Sequence, residues 1–193
     1  MNLLAYKGSI VLVLVFLSSI WLLNQAKAPL LKVVKVAEYS KIDYFSKGYT
    51  KIEMNEQGIP VQRLDASSLQ HESHNDEMQF NDPIVTVYQP EKVIPPWVIN
   101  AESGRMSANG QTIFLNDAVL ISRAASKSAQ LGAIKIKTRD LMLEPDKAYA
   151  ETAAWAELTT NSEVISGIGL EFFYQQPLYI KLLKAVKGRR HVH

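Results

Sequence analysis

The chain has 193 residues, 47% of them hydrophobic and 21% charged, with a formal net charge of +2. That balance excludes wholesale disorder, and so small a charge excludes a nucleic-acid binder held by clustered Lys and Arg. There is no cysteine, which excludes a disulfide framework, a thiolate metal centre and a cysteine nucleophile together.

From Gly8 to Ala26 the sequence GSIVLVLVFLSSIWLLNQA runs for 19 residues between Lys7 and Lys27 without a charge. As a helix it would cover roughly 28 Å, close to the hydrocarbon thickness of a bilayer. A single transmembrane helix is therefore expected within residues 1–27. Trp21 suits the interfacial aromatic belt, and Lys7 with the initiating amine favours a cytoplasmic N-terminus. Ala26-Lys27-Ala28 has the spacing of a signal-peptidase site. The apolar run, however, exceeds the roughly 7–15 residues of a signal h-region, and its basic leader is one lysine. The expectation is a retained anchor, a linker over 28–45, and a folded domain over 46–193 across the membrane, in the periplasm of a bacterial cell.

The segment NEQGIPVQRLDASSLQHE (55–72) reads as a turn, a short strand and a polar return. Around it the hydrophobic pattern has period two: Ile52 and Met54 alternate with Lys51, Glu53 and Asn55, and Ile134 and Ile136 with Lys135 and Lys137. This is the mark of half-buried antiparallel strands. Similar segments follow at PIVTVYQ, PWVINAE, TIFLNDAVLIS, LMLEP, KAYAET, EVISGIGLEFFY and LYIKLL, separated by turn signals at Gln57-Gly58, Asn81-Asp82-Pro83, Pro95-Pro96, Asn109-Gly110 and Glu144-Pro145-Asp146. Short strands at this spacing predict a mainly β domain, a sandwich or jelly roll. Its edges must be blunted by charge or used to bind a partner strand.

Catalytic and metal signatures are missing. HESHNDE places His71 and His74 beside three acids, but no further His precedes His191, so the ligand count of a zinc site is not met and a solvated turn is expected. There is no Gly-x-Ser-x-Gly elbow and no phosphate loop. Gly167 and Gly169 lack the βαβ setting of a dinucleotide site and suit a strand bend or bulge. No enzyme activity, cofactor or metal is expected. Tyr49, Phe80, Tyr88, Trp97, Phe172 and Tyr174 lie in or beside strands, where core and ligand-lining roles are both open. Lys181, Lys184, Lys187, Arg189 and Arg190 make the tail basic, a solvated end or a contact for anionic groups.

The phrases NEQGIPVQRLDASSLQH, FNDPIVTVYQ, PPWVINAESGRM, IFLNDAVLISR, IKTRDLMLEP and YIKLLKAVKG follow one another, behind the apolar segment, in the order and spacing of the LptC family of lipopolysaccharide export proteins. The chain resembles that family over residues 45–190. The resemblance implies a twisted antiparallel β-jelly roll, open along one side, behind a single inner-membrane helix. It also implies a non-enzymatic role: receiving lipopolysaccharide from an ABC transporter, whose permease subunits work with separate ATPase subunits, and passing it to the periplasmic jelly-roll protein LptA. Matching phrases imply that Tyr49 and Phe80 line the lipid trough; Tyr88, Trp97 and Ile99 are added by aromatic character and parity. They also imply that Gly169, Leu170, Ile180, Leu182, Leu183 and Val186 dock the partner. The family often has glycine where Asp117 stands; Asp tolerates a left-handed backbone, so the bend there is expected to survive. An anchored carbohydrate-binding or adhesion jelly roll is the alternative, and it would need an outer polar groove with stacking aromatics.

Overall fold

The computed structural model describes residues 14–22, 42–175 and 177–190, and the chain divides into two compact units, Met1–Ser40 and Lys41–His193. In the first unit, residues 14–22 are helical, with Leu14, Phe16, Leu17, Trp21 and Leu22 exposed. The Ser18 and Ser19 hydroxyls donate to the Val15 carbonyl, each at 2.9 Å, which satisfies two polar groups inside an apolar stretch. Among the described residues no helix is long and apolar enough to cross a membrane. The rest of the expected span, 8–13 and 23–26, and most of the expected linker lie outside the described residues.

Among the described residues the second unit has ten strands: β1 (Ile42–Met54), β2 (Pro60–Glu72), β3 (Glu77–Asn81), β4 (Ile84–Val87), β5 (Trp97–Met106), β6 (Ile113–Arg123), β7 (Ile134–Glu144), β8 (Tyr149–Thr159), β9 (Glu163–Phe173) and β10 (Tyr179–Arg190). They form one antiparallel sheet in the order β1-β2-β3-β5-β6-β7-β8-β9-β10, with β4 pairing β2 and β5. β3 and β4 thus share one slot between β2 and β5. The slot is broken at Asp82-Pro83, where Asp82 takes a φ of 48° and proline has no N–H for the ladder. Among the described residues β1 and β10 each pair with a single strand.

Register shifts recur from strand to strand: between Ala101 and Ser103 on β5, Leu115 and Ala118 on β6, Lys137 and Met142 on β7, Thr152 and Trp155 on β8, and Lys184 and Lys187 on β10. Left-handed residues mark the row, with φ of 61° at Asp117, 52° at Asp140, 78° at Gly169 and 50° at Ala185. The bend at Asp117 therefore survives without glycine, and Gly169 serves a bulge as expected. Each bulge bends its strand and steepens the twist, and a row of them folds one sheet into two facing layers. The facing is direct: Trp97 on β5 meets Phe172 on β9 edge-on, ring centroids 4.8 Å apart, although β6, β7 and β8 separate those strands in the sheet. The result is a mainly antiparallel, jelly-roll-like domain. Its core includes Leu64, Phe80, Trp97, Ile99, Leu115, Ile121, Ile136, Leu143 and Phe172.

Where a bulge interrupts the ladder, side chains take over. The buried Thr138 hydroxyl donates to the Trp155 carbonyl at 2.9 Å, and the buried Thr152 hydroxyl to the Arg139 carbonyl at 2.8 Å. The Asp117 N–H donates to Asp140 Oδ1 at 3.1 Å.

Three sequence expectations change. Residues 55–72 are not a short strand with a return but a turn and the 13-residue β2, its continuity hidden because the inward parity of Leu64 and Ala66 slips before Leu69. IKIKTRDL and LMLEP join into one strand, β7. The alternation in β1 is real, but its faces are reversed. Tyr49, Lys51 and Glu53 lie opposite Ala66, Leu64 and Gln62, all buried, so these three face inward, with Lys51 and Glu53 paired at 2.6 Å. Ile52 and Met54 face solvent. In addition, Ile42–Phe45, placed in the linker by sequence, already belong to β1.

Candidate functional site

The inner face of the roll carries most of the proposed lining residues, at two depths. Tyr49 on β1 is half-buried and packs against the core, its ring 5.7 Å from that of Phe80 on β3; burial pushes its hydroxyl pKa up. Phe80, Trp97 and Ile99 are fully buried. Phe80 lies opposite Gly104 on β5, whereas Trp97 starts that strand opposite Val87, so Tyr49 and Phe80 form one cluster and Trp97 and Phe172 another. Phe80, Trp97, Ile99 and Phe172 belong to the buried core of the roll. Tyr88 does not join them. Val85 and Val87 point inward, and the next position, whose N–H bonds the Val61 carbonyl at 3.0 Å, carries the Tyr88 ring to the outer face.

The deep cluster holds two polar groups: Tyr174, already a core or lining candidate as an aromatic, and Arg123, which sequence parity could have found but residue type concealed. Arg123 ends β6 opposite Trp97, in step with the inward Val119 and Ile121. Its guanidinium carbon stands 4.8 Å from the Trp97 ring centroid, and burial lowers its pKa. Tyr174 follows β9, with its ring 5.7 Å from that of Phe172. Burial, then the charges of Asp146 and Glu53, push its hydroxyl well above the ordinary tyrosine range. Arg123 Nε and the Tyr174 hydroxyl are buried without a hydrogen-bond partner.

The proposed docking residues divide in the same way. Gly169 and Leu170 belong to β9, which is paired on both sides by β8 and β10, so neither offers backbone to a partner; Leu170 is a core residue. On β10, Ile180 and Leu182 point inward, opposite Phe172 and Leu170, and pack against the core half-buried. Leu183 and Val186 are exposed, 44% and 55%. Lys181 is paired with Glu171 at 3.1 Å.

At the other rim, His71 is in β2 and not in a turn. Its Nδ1 lies 2.6 Å from Asp43 Oδ1 and its Nε2 3.4 Å from Asp76 Oδ1, and its ring stacks on Tyr44 at 4.6 Å. The His71 hydrogen bond is the largest cause of a lowered Asp43 pKa. His74 faces Glu72 at 3.7 Å in the turn that follows. Among the described residues no three such side chains gather as a metal site would require. Nearby, Arg63 grips Asp65 through two bonds of 2.7 Å, which raises the Arg63 pKa and, with the Thr50 hydroxyl, lowers that of Asp65.

A family model described as "Lipopolysaccharide-assembly, LptC-related" matches residues 10–191. No curated protein matches the chain.

Proposed function

The chain belongs to the LptC family and thereby to lipopolysaccharide transport, and from that premise we propose that it is a membrane-anchored, non-enzymatic conduit. It receives lipopolysaccharide from an inner-membrane ABC transporter and passes it to the jelly-roll protein LptA. The family is not a known enzyme family. The carrying observation is a sheet folded onto itself while its terminal strands, β1 and β10, each keep one partner among the described residues. A roll of this kind can part along one flank and can extend its sheet at an edge.

In this reading the flank beside β1 opens. Tyr49 shifts away from Phe80, and acyl chains replace the contacts among Phe80, Trp97 and Ile99, each buried CH₂ contributing about 0.8 kcal/mol. At the opposite rim β10 offers its backbone edge, with Leu183 and Val186 as exposed apolar contacts and Ile180 and Leu182 fixing the strand to the core. Gly169 and Leu170 support that rim from beneath. Residues 1–27 anchor the chain in the inner membrane with the N-terminus cytoplasmic, 28–45 act as tether, and the remainder works in the periplasm. Phe80, Trp97 and Phe172 turn inward, which favours a lipid trough over the outer stacking groove of a sugar-binding or adhesion module.

A photocrosslinking residue at position 80 tests this in the assembled transporter. Capture of lipopolysaccharide that requires ATP hydrolysis is expected. Absence of capture, or capture indifferent to ATP, would refute the conduit.

A further inference from the structure

Arg123 is the buried arginine of the described residues, 6% exposed, and its Nε has no hydrogen-bond partner. Arg63 holds Asp65 at 2.7 Å, while Arg105 holds Glu77 and Arg139 holds Asp140, both at 3.1 Å; these are exposed or half-exposed cations that water would also serve. Arg123 holds no carboxylate. Desolvation is the sole cause of its lowered pKa, with no acid acting in the other direction. The Trp97 ring offsets part of that penalty through its quadrupole, but it gives Nε, a donor sealed from solvent, nothing to donate to. A buried cation left this way is destabilising unless an anion meets it.

The surroundings suit an amphiphile. Trp97, Phe172 and Tyr174 form a continuous aromatic wall, with centroid steps of 4.8 and 5.7 Å. Arg123 abuts one end of it, and the unpartnered Tyr174 hydroxyl lies at the other. The connections on either side, residues 88–96 before Trp97 and 124–133 after Arg123, are joined by the Ser126 hydroxyl donating to the Val93 carbonyl at 2.8 Å. An anion reaching Arg123 between them would place an attached apolar chain along the wall.

Resting on the transport reading above, we propose that Arg123 is an anion-binding residue that receives a phosphate ester of the transported lipid, with the Trp97–Phe172–Tyr174 wall beside its acyl chains. A guanidinium suits this role because its planar fork matches two phosphate oxygens at once. A purely structural Arg123 predicts something different, since exchanging an unpaired buried cation for an apolar side chain of similar length is neutral or stabilising and leaves ligand preference alone.

The test uses the full chain in mild detergent and three probes: bisphosphorylated lipid A, the same lipid with its phosphates removed, and inorganic phosphate. The wild-type chain is expected to bind the phosphorylated lipid about tenfold more tightly than the dephosphorylated one. Arg123→Met should level the two, and Arg123→Lys, a point charge without the fork, should restore part of the difference. Arg123→Gln replaces the Met variant if thermal melting shows that Met fails to fold. A preference that persists in the neutral variant overturns the assignment. Equal binding of both lipids by the wild type overturns the anion site alone and leaves the conduit standing, whereas binding of neither overturns both. Inorganic phosphate bound as tightly as the phosphorylated lipid would make the ligand free phosphate and overturn the lipid assignment.

Discussion

Leu183 of β10 lies directly on Gly169 of β9: a Cβ built at 169 would stand 2.9 Å from Leu183 Cδ1 and 3.2 Å from its Cβ, and Gly169 has a φ of 78°. Two costs therefore meet in Gly169→Ala. The left-handed backbone costs about 1–2 kcal/mol for a residue with a Cβ, and Leu183 must tilt. Urea denaturation should show the full loss in Gly169→Ala. Adding Leu183→Ala should relieve the contacts with Cδ1 and Cγ but not that with Cβ, so the φ penalty and part of the steric cost survive in the double mutant, and strict additivity would disprove the contact.

The threonines at the bulges make a second prediction. Thr152→Val and Thr138→Val keep shape but leave the Arg139 and Trp155 carbonyls without their hydroxyl donors. Each should cost about 0.5–1.5 kcal/mol in chemical denaturation, the net contribution of a partly buried hydrogen bond. Thr160→Val, in the turn after β8, where the hydroxyl's hydrogen bonds are open to solvent, serves as a comparison and should cost less.

Tyr174 sets an alkaline limit. Burial raises its hydroxyl pKa above the ordinary 10.0, so the folded chain resists ionisation that the unfolded chain allows. The contribution is intact below pH 10.0 and declines as pH rises through the folded value. Tyr174→Phe removes an unpartnered buried hydroxyl, should leave neutral-pH stability unchanged or raise it by up to about 1 kcal/mol, and should flatten the alkaline decline. Tyrosinate absorbance during a pH melt follows both.

Asp43 sets an acid limit on β1. Its pKa lies below 3.8, chiefly through the His71 hydrogen bond. What that contact contributes is present above the unfolded value and is lost as pH falls through the folded one. Hydrogen exchange should show residues 43–47 losing protection in that acid window, ahead of β5 and β6. His71→Ala should produce the same fraying at neutral pH by removing both the Asp43 bond and the stack on Tyr44. Equal protection in the variant would show that backbone pairing alone holds the strand.

Much of the β architecture was legible because alternation and turn chemistry are local. Ile134 and Ile136 announce a half-buried strand whatever lies above them, and Asp82-Pro83 announces a break. Which face is inside was not legible. Lys51 and Glu53 look like a solvent face until register sets them over Leu64 and Gln62. The same limit put Tyr88 among the lining residues by aromatic character, although pairing with Val61 turns it outward. Arg123 went unnoticed because arginine reads as surface; only its parity with Val119 and Ile121 betrays it. The meeting of Trp97 and Phe172 depends on bulges that act together across several strands, and no single segment encodes that.

The cations of β10 also decide how copies of this chain avoid one another. Two such strands aligned antiparallel about Lys187 would set Lys184 of one molecule against Arg190 of the next and Lys187 against its own copy, and like charges directly opposite are repulsive. Charge on that rim therefore discourages twofold self-pairing and suits an adjoining strand that carries acid, so electrostatics alone would tell the two faces of such a contact apart.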